Sequence, residues 1–225
     1  MVFPEPLRPD DNGLVFVGGD FSRATIVEAY TRGIFPWRGG PDIPWYCPDP
    51  RAVLRPGTLR VTRSLAKRAR SPGYTVAFDH DFRGAMERCA STPRRTEQTT
   101  WIAADVIEGY TALHAEGIAH SVEVYAGDTP IGGLYGLAFG QIFHGESMYA
   151  RARDASKLAL WSLDTALAAH GFTLLDCQVP TEHLMSLGAE VWPRARYLAH
   201  LAGNGASTHE SWRAWRATCL PPRVT

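Results

Sequence analysis

The chain has 225 residues, of which 45% are hydrophobic and 20% charged, with 23 basic and 23 acidic side chains. This length predicts one domain of good size, or a large domain with a small appendage. The seven Trp, eight Tyr and nine Phe exclude a disordered chain. A net charge of zero excludes a globally basic nucleic-acid-binding protein but is compatible with a local basic surface.

The charges are segregated along the chain. Residues 51–70 contain seven cations and no carboxylate: Arg51, Arg55, Arg60, Arg63, Lys67, Arg68 and Arg70. Residues 101–150 contain six carboxylates and no Lys or Arg: Asp105, Glu108, Glu116, Glu123, Asp128 and Glu146. This pattern predicts either two charged surfaces with different partners or two ordinary solvated faces.

The cysteines and the chain start indicate a protein of the cytoplasm. Four cysteines lie far apart without a C-x-x-C pair, which argues against a disulfide framework or a zinc site. The first residues lack the apolar core of a signal peptide. The longest uncharged stretch, 129–145, is interrupted by glycines and is too short to cross a bilayer.

Residues 1–50 differ in texture from the rest of the chain and predict a small N-terminal domain. They are rich in proline and glycine around one helix, which we expect to begin after Ser22 as its cap and to end at Gly33. The domain boundary is expected between residues 49 and 52, so that residues 51–225 form the second domain.

The second domain alternates helices with strands. Strands are expected where the apolar pattern has a period of two or is continuous, over residues 120–126, 131–139, 141–149 and 172–179. Helices are expected over residues 79–90, 103–116, 155–170 with Asp154 as cap, 180–187 and 194–202. Central strands with flanking helices favour an α+β or mixed α/β domain.

Several chemistries lack their motifs. The sequence has no G-x-x-x-x-G-K-[ST] phosphate loop, and its histidines never occur as H-E-x-x-H or H-x-H. The segment G-E-S-M-Y at 145–149 lacks the closing glycine of a hydrolase nucleophile elbow. Enzymes driven by ATP, a metal or redox chemistry are therefore not expected.

Polar residues inside apolar strands are the remaining candidates for chemistry. Asp176 and Gln178 stand in L-L-D-C-Q-V, where a period of two predicts that both lie on one side of the strand. A buried carboxylate is costly unless it is paired. Asp176 is thus either a satisfied structural acceptor or a working group in a cleft, and the same choice applies to Glu146.

Nine short motifs, in order from about residue 3 to residue 200, resemble leucyl/phenylalanyl-tRNA–protein transferases. They are G-G-D at 18–20, A-Y-x-R-G-I-F-P-W at 29–37, W-Y-C-P-D-P-R-A-V at 45–53, T-W-I at 100–102, H-S-V-E-V at 120–124, G-G-L-Y-G at 132–136, G-E-S-M-Y at 145–149, A-S-K at 155–157 and L-D-C-Q at 175–178. Two positions depart from the pattern: Cys47 stands where we expect Ser, and Leu134 where some relatives have Met.

The resemblance implies a small N-terminal domain beside a GNAT-like acyltransferase domain that lacks the coenzyme A loop. It implies transfer of Leu or Phe, and less readily Met, from aminoacyl-tRNA to proteins that begin with Arg or Lys, which marks them for N-degron degradation. It implies no cofactor and no metal, since the aminoacyl ester is already activated.

The resemblance also assigns roles to residues. Asp176 and Gln178 orient the acceptor amine and relay its proton, while Glu146 receives the cationic N-terminal side chain of the acceptor. Trp37 and Trp101 sandwich the terminal adenine. The pocket for the Leu or Phe side chain comprises Tyr110, Leu134, Phe143, Met148, Leu163 and Leu175.

The cationic stretch fits the phosphates of the tRNA acceptor stem. Arg63, Lys67 and Arg70 occur at i, i+4 and i+7, a spacing that places them on one face of a short helix. Two alternatives remain open: a coenzyme A-dependent acetyltransferase of related fold, and a non-catalytic RNA-binding module.

Overall fold

A computed structural model describes residues 2–4, 7–37, 42–93 and 100–204. The first part of the chain forms a small antiparallel sheet of three strands, in the order β1–β3–β2. Its strands are β1 (Leu14–Val17), β2 (Phe35–Pro36) and β3 (Pro44–Tyr46), and helix α1 (Arg23–Thr31) connects β1 to β2.

A seven-stranded sheet follows, in the order β10–β4–β9–β8–β7–β6–β5. Neighbouring strands are antiparallel except for β8 and β9, which are parallel. The mixed sheet confirms the α+β class. Its strands are β4 (Arg51–Leu54), β5 (Tyr74–Phe78), β6 (Ala119–Ala126), β7 (Thr129–Phe139), β8 (Ile142–Ala150), β9 (Leu174–Gln178) and β10 (Glu190–Trp192).

Six helices accompany the large sheet in the described residues: α2 (Arg63–Ala69), α3 (Phe82–Ala90), α4 (Ala104–Ala115), α5 (Ala155–Ala169), α6 (Glu182–Ser186) and α7 (Arg194–Asn204). The sheet separates two apolar cores, as the side chains of β7 illustrate. Leu134 packs in a core with α5, whereas its neighbour Tyr135 packs in a core with α1, α3 and α4. Alternation along the strand thus serves both faces.

Capping residues were predicted for two helices, α1 and α5. Ser22 caps α1 by accepting a hydrogen bond from the Thr25 backbone N–H, and Gly33 follows the helix with φ +76°, as expected. Asp154 stands at the expected N-cap position of α5, but it does not cap the helix with its side chain. This residue has φ +64°, and its side chain makes no capping hydrogen bond to α5, because the carboxylate faces Lys157 instead.

Three short strands of the large sheet were not predicted from the sequence. β4, β5 and β10 have three to five residues each, too few for a period to be recognised. Among the described helices, the longest is α5 with 15 residues, and none is long and apolar enough to span a membrane.

Candidate functional site

An apolar cavity of about 250 Å³ lies between the large sheet, α5 and α6. Apolar side chains from β7, β8, α5 and β9 form most of its wall, and α6 covers it. The lining residues are Leu134, Tyr135, Gly145, Glu146, Ser147, Met148, Leu160, Leu163, Leu175, Cys177, Gln178, Thr181, His183 and Leu184.

A second cavity of about 300 Å³ adjoins the first, and we call it the aromatic cavity. Phe35, Pro36 and Trp37 of the N-terminal sheet region form one side of it together with Trp101. The two cavities share Glu146, Ser147, Met148, Cys177, Gln178, Thr181 and Leu184. They therefore meet at a junction whose polar side chains include Glu146 and Gln178.

Four of the six residues expected in the side-chain pocket line the apolar cavity, namely Leu134, Met148, Leu163 and Leu175. The other two lie behind its wall. Phe143 is fully buried in the same core cluster as Leu134, and Tyr110 is fully buried on the other side of the sheet. Leu160, which lies three residues before Leu163 on α5, also lines the cavity but was not among the expected residues.

Both tryptophans expected at the adenine site line the aromatic cavity. Trp37 is 42% exposed, whereas Trp101 is 5% exposed. An exposed tryptophan is unusual, because its large apolar surface stays in water and the free energy of burying it is not gained. The cavity thus presents one fixed ring and one accessible ring to a planar ligand.

Glu146 lies at the junction and accepts three hydrogen bonds. Tyr30 Oη and Gln178 Nε2 donate to Oε1 at 2.7 and 2.9 Å, and Tyr110 Oη donates to Oε2 at 3.4 Å. Burial raises the pKa of Glu146 to about 8, with a further contribution from the charge of Asp176, although the tyrosine hydrogen bonds act in the opposite direction. A cation that binds beside Glu146 would lower this pKa and favour the ionised carboxylate.

Asp176 is fully buried and does not line either cavity. Arg51 donates to both carboxylate oxygens at 2.8 and 2.6 Å, and Tyr197 Oη donates at 2.9 Å. His144 Nδ1 lies 3.0 Å from Oδ2, and the Gln178 backbone N–H donates to Oδ1 at 2.9 Å. Burial alone raises the pKa of Asp176, but the charge and hydrogen bonds of Arg51 outweigh it and hold this pKa well below its usual range.

The expectation that Asp176 and Gln178 share one side of the strand was wrong. Leu175 and Cys177 line the apolar cavity, so strict alternation would send Gln178 away from it with Asp176. Gln178 instead has φ +64°, a left-handed conformation that ends the strand and lets its carboxamide line both cavities. A period of two cannot reveal this change of direction.

The expected cationic face of a helix is present on α2. Arg63, Lys67 and Arg70 are all exposed there, and we call them the α2 patch. The rest of the cationic stretch is divided: Arg51 is buried against Asp176, and Arg55 pairs with Glu190 at 2.6 Å. The stretch of seven cations is therefore not one surface.

The six carboxylates of residues 101–150 do not form one surface either. Glu123 is fully buried, where it accepts a hydrogen bond from Ser121 Oγ at 2.6 Å, and Glu146 lies at the junction. Glu116 is exposed and pairs with Arg23 at 2.6 Å. The sequence separation of charge is thus largely lost in the folded chain.

One group of possible metal ligands occurs in the described residues: Asp79, His114 and His120. His120 Nε2 lies 3.0 Å from the Gly117 carbonyl oxygen, and His114 Nδ1 lies 2.8 Å from that of Ala119. A ring nitrogen that donates its proton to a carbonyl oxygen has no lone pair left for a metal, and the other ring nitrogen of His120, Nδ1, already lies at hydrogen-bond distance from Asp79 Oδ2, 2.7 Å away. We assign this group a structural role.

Comparison with known proteins gives a consistent family. The family model described as "Leucyl/phenylalanyl-tRNA protein transferase" matches residues 53–202, and the model of that family's N-terminal domain matches residues 19–49. A leucyl/phenylalanyl-tRNA–protein transferase of Ectopseudomonas mendocina is 49% identical over 85% of each chain. One of Solidesulfovibrio magneticus is 47% identical over the whole of this chain and 92% of its own.

Solved structures resemble the chain only distantly. A GCN5-related N-acetyltransferase from Kribbella flavida has a TM-score of 0.37 at 14% identity, covering 76% of this chain and 60% of its own. L-PGS from Bacillus licheniformis has a TM-score of 0.42 at 10% identity, covering 87% and 62%. Likenesses this distant carry no argument about function.

The buried Arg51–Asp176 pair predicts a large difference between two arginine substitutions. R51M leaves Asp176 buried without its cation, so we expect the free energy of unfolding to fall by about 3–5 kcal/mol. R55M, which breaks the exposed Arg55–Glu190 pair, is the matched control and should cost about 0–1 kcal/mol. Urea unfolding measures both, and equal losses would contradict the assigned role of Arg51.

The raised pKa of Glu146 predicts a pH-dependent loss of stability. The carboxyl has a pKa of about 8 in the folded protein, against about 4.3 in the unfolded chain. Between these values the folded protein keeps a proton that the unfolded chain has lost, so the free energy of unfolding falls by about 1.4 kcal/mol per pH unit.

E146Q removes this contribution. We expect the free energy of unfolding of the wild type to fall steadily relative to that of E146Q from pH 5 to pH 8. Urea unfolding at each pH measures this difference. E108Q, at an exposed position on α4, is the matched control. Wild-type and E146Q curves that run parallel over this range would refute the raised pKa.

Proposed function

Because the chain belongs to the leucyl/phenylalanyl-tRNA protein transferase family, we propose that it transfers Leu or Phe, and less readily Met, from aminoacyl-tRNA to proteins that begin with Arg or Lys. The observation that carries this proposal is the joining of an apolar cavity and an aromatic cavity at Glu146 and Gln178. An aminoacylated adenosine has the matching parts: an apolar side chain, a planar base and a reactive ester between them.

The apolar cavity supports the donor preference. Leu134, Met148, Leu163 and Leu175 offer no hydrogen-bonding group, so the side chain is selected by size and apolar contact. One methylene changes binding in such a pocket by about 1–3 kcal/mol, and preference among large apolar donors is therefore graded. Tyr110 and Phe143 act from behind the wall, where they fix the residues that line it.

The aromatic cavity suits the terminal adenine. Trp37 and Trp101 line it, and stacking of a base on an aromatic side chain contributes about 1–3 kcal/mol. Stacking is indifferent to the anticodon, so it leaves donor choice to the apolar cavity.

The junction suits the reaction itself. The α-amine of the acceptor attacks the ester carbonyl carbon, a C–N bond forms, and the bond from that carbon to the 3′ oxygen of the ribose breaks. The proton lost from the acceptor nitrogen restores the 3′ hydroxyl, and the proton of the starting ammonium passes to solvent. Gln178 is the catalytic residue that we propose to orient the amine at the junction.

Asp176 is proposed to act through Gln178, as a positioning residue. Its carboxylate is buried and hydrogen-bonded to four side chains or backbone groups, so it cannot receive the proton of the amine directly. Glu146 is proposed to hold the cationic N-terminal residue of the acceptor, which would favour its ionised form.

The α2 patch is proposed to bind phosphates of the tRNA acceptor stem, which requires exposed cations and no base contacts. The activated ester makes a cofactor or metal unnecessary. A donor of this kind also favours a cytoplasmic location, and the transferred Leu or Phe would mark the acceptor for N-degron degradation.

One transfer assay tests the proposal. Leu-tRNA with a labelled Leu is incubated with the protein and a peptide that begins with Arg, beside the same peptide with an N-terminal Ala. We expect label on the Arg peptide only. Binding of tRNA without any transfer would instead support the RNA-binding module, and acetylation by acetyl-CoA would support the acetyltransferase.

Loss of the exposed stacking ring should weaken the donor. W37A is expected to raise KM for Leu-tRNA about 5- to 150-fold, which corresponds to a stacking energy of about 1–3 kcal/mol. W37F keeps an aromatic face and should recover most of the loss. V191A removes another exposed apolar side chain, outside both cavities, and should leave KM unchanged. An unchanged KM for W37A would contradict the proposal that the terminal adenine binds in this cavity.

A further inference from the structure

A cluster of three cations surrounds one carboxylate at the start of α5. Asp154 lies 3.2 Å from Arg68 Nε, 3.2 Å from Lys157 Nζ and 3.7 Å from Arg153 Nε. Three cations against one carboxylate leave a net charge of +2. We call Arg153 and Lys157, the two more exposed cations, the α5 pair; their side chains are 81% and 37% exposed.

The α5 pair lies between the α2 patch and the apolar cavity. On one side, Arg68 belongs to α2 and joins that helix to Asp154. On the other side, Lys157 is close to His183, a lining residue of the apolar cavity. The pKa of His183 lies below its usual value because burial disfavours the charged ring and because the charge of Lys157 repels a second cation.

These positions matter for the path of the donor. A tRNA whose acceptor stem is held at the α2 patch, and whose terminal adenine lies in the aromatic cavity, must pass its last nucleotides along the protein between the two. The α5 pair is beside this route, since α2 packs on α5, α5 lines the apolar cavity, and the apolar cavity adjoins the aromatic cavity. Those nucleotides are single-stranded and carry one phosphate each.

The cluster has the properties of a phosphate site. The first turn of α5 presents backbone N–H groups with partial positive charge, which adds to the charges of the side chains. Asp154 holds Arg68 and Lys157 in place but cannot neutralise all three cations. A mobile phosphate can therefore take up the remaining charge, with Lys157 as a point charge and Arg153 as a two-pronged donor.

We propose that Arg153 and Lys157 bind the phosphates of the single-stranded 3′ end of the tRNA and so connect the α2 patch to the two cavities. The inference rests on the proposed function, because it needs an aminoacyl-tRNA donor. It assigns the last nucleotides to residues outside both the α2 patch and the cavity linings.

Three aminoacyl donors of decreasing length distinguish contacts at the α2 patch, at the α5 pair and in the two cavities. They are Leu-tRNA, the trinucleotide CCA esterified with Leu, and adenosine esterified with Leu, which has no phosphate. R153A combined with K157A should raise KM for Leu-tRNA and for Leu-CCA by about tenfold, and leave the turnover of Leu-adenosine unchanged. R63A combined with K67A should raise KM for Leu-tRNA only.

The salt dependence gives an independent readout. Each phosphate contact to a single strand contributes about 0.7 to the slope of log K against log salt, so loss of the two contacts at Arg153 and Lys157 should reduce the slope for Leu-CCA by about 1.4. R83A is the matched control, an exposed arginine on α3 across the sheet from α5, and should change neither KM nor slope.

The outcomes are distinct. Equal losses with all three donors would mean that the substitutions disturb the cavity or the fold, and this would overturn the proposal. So would an unchanged KM for Leu-CCA. A wild-type protein that transfers Leu from none of the donors would instead reject the proposed function, whatever the variants do.

Discussion

The buried ion pair between Arg51 and Asp176 is the interaction on which the rest of the structure depends. Arg51 begins β4, and its guanidinium contacts Asp176 on β9, the Gly33 carbonyl oxygen after α1, and the rings of Phe35 and Tyr197. One side chain thus joins the large sheet, the N-terminal sheet region and α7. A buried pair of this kind adds little stability over an apolar substitute, but loss of one partner is severe.

The pair also fixes the junction of the two cavities. Asp176 accepts the backbone N–H of Gln178, the residue whose left-handed backbone turns its carboxamide toward Glu146. Asp176 and Glu146 then differ in pKa, because Arg51 is hydrogen-bonded to Asp176, whereas the hydrogen-bond donors to Glu146 in the described residues are two tyrosine hydroxyls and one carboxamide. Divergent pKa values of neighbouring acids are typical of sites that bind or move charge.

The sequence was sufficient for the larger elements and for four of the residues that line the apolar cavity. Helices α1, α4 and α5 have long apolar faces, and the residues Leu134, Met148, Leu163 and Leu175 could be placed by resemblance. It was insufficient where a role depends on a partner distant in the chain. Arg51 was counted with the cations of residues 51–70, since nothing local to β4 reveals that Asp176, 125 positions later, faces it.

A net charge of zero conceals an uneven distribution of charge between interior and surface. Arg51 and Asp176 cancel each other inside the fold, and Glu123 and Glu146 are withdrawn from the carboxylate-rich segment into the core and the junction. Arg60, Arg63, Lys67 and Arg70 stay exposed around α2. Because an electrostatic field that steers a ligand arises from exposed charge, the surface from α2 to the start of α5 attracts anions although the whole chain is neutral. The junction is likewise available to a cation, because Glu146 forms no ion pair with an arginine or lysine among the described residues.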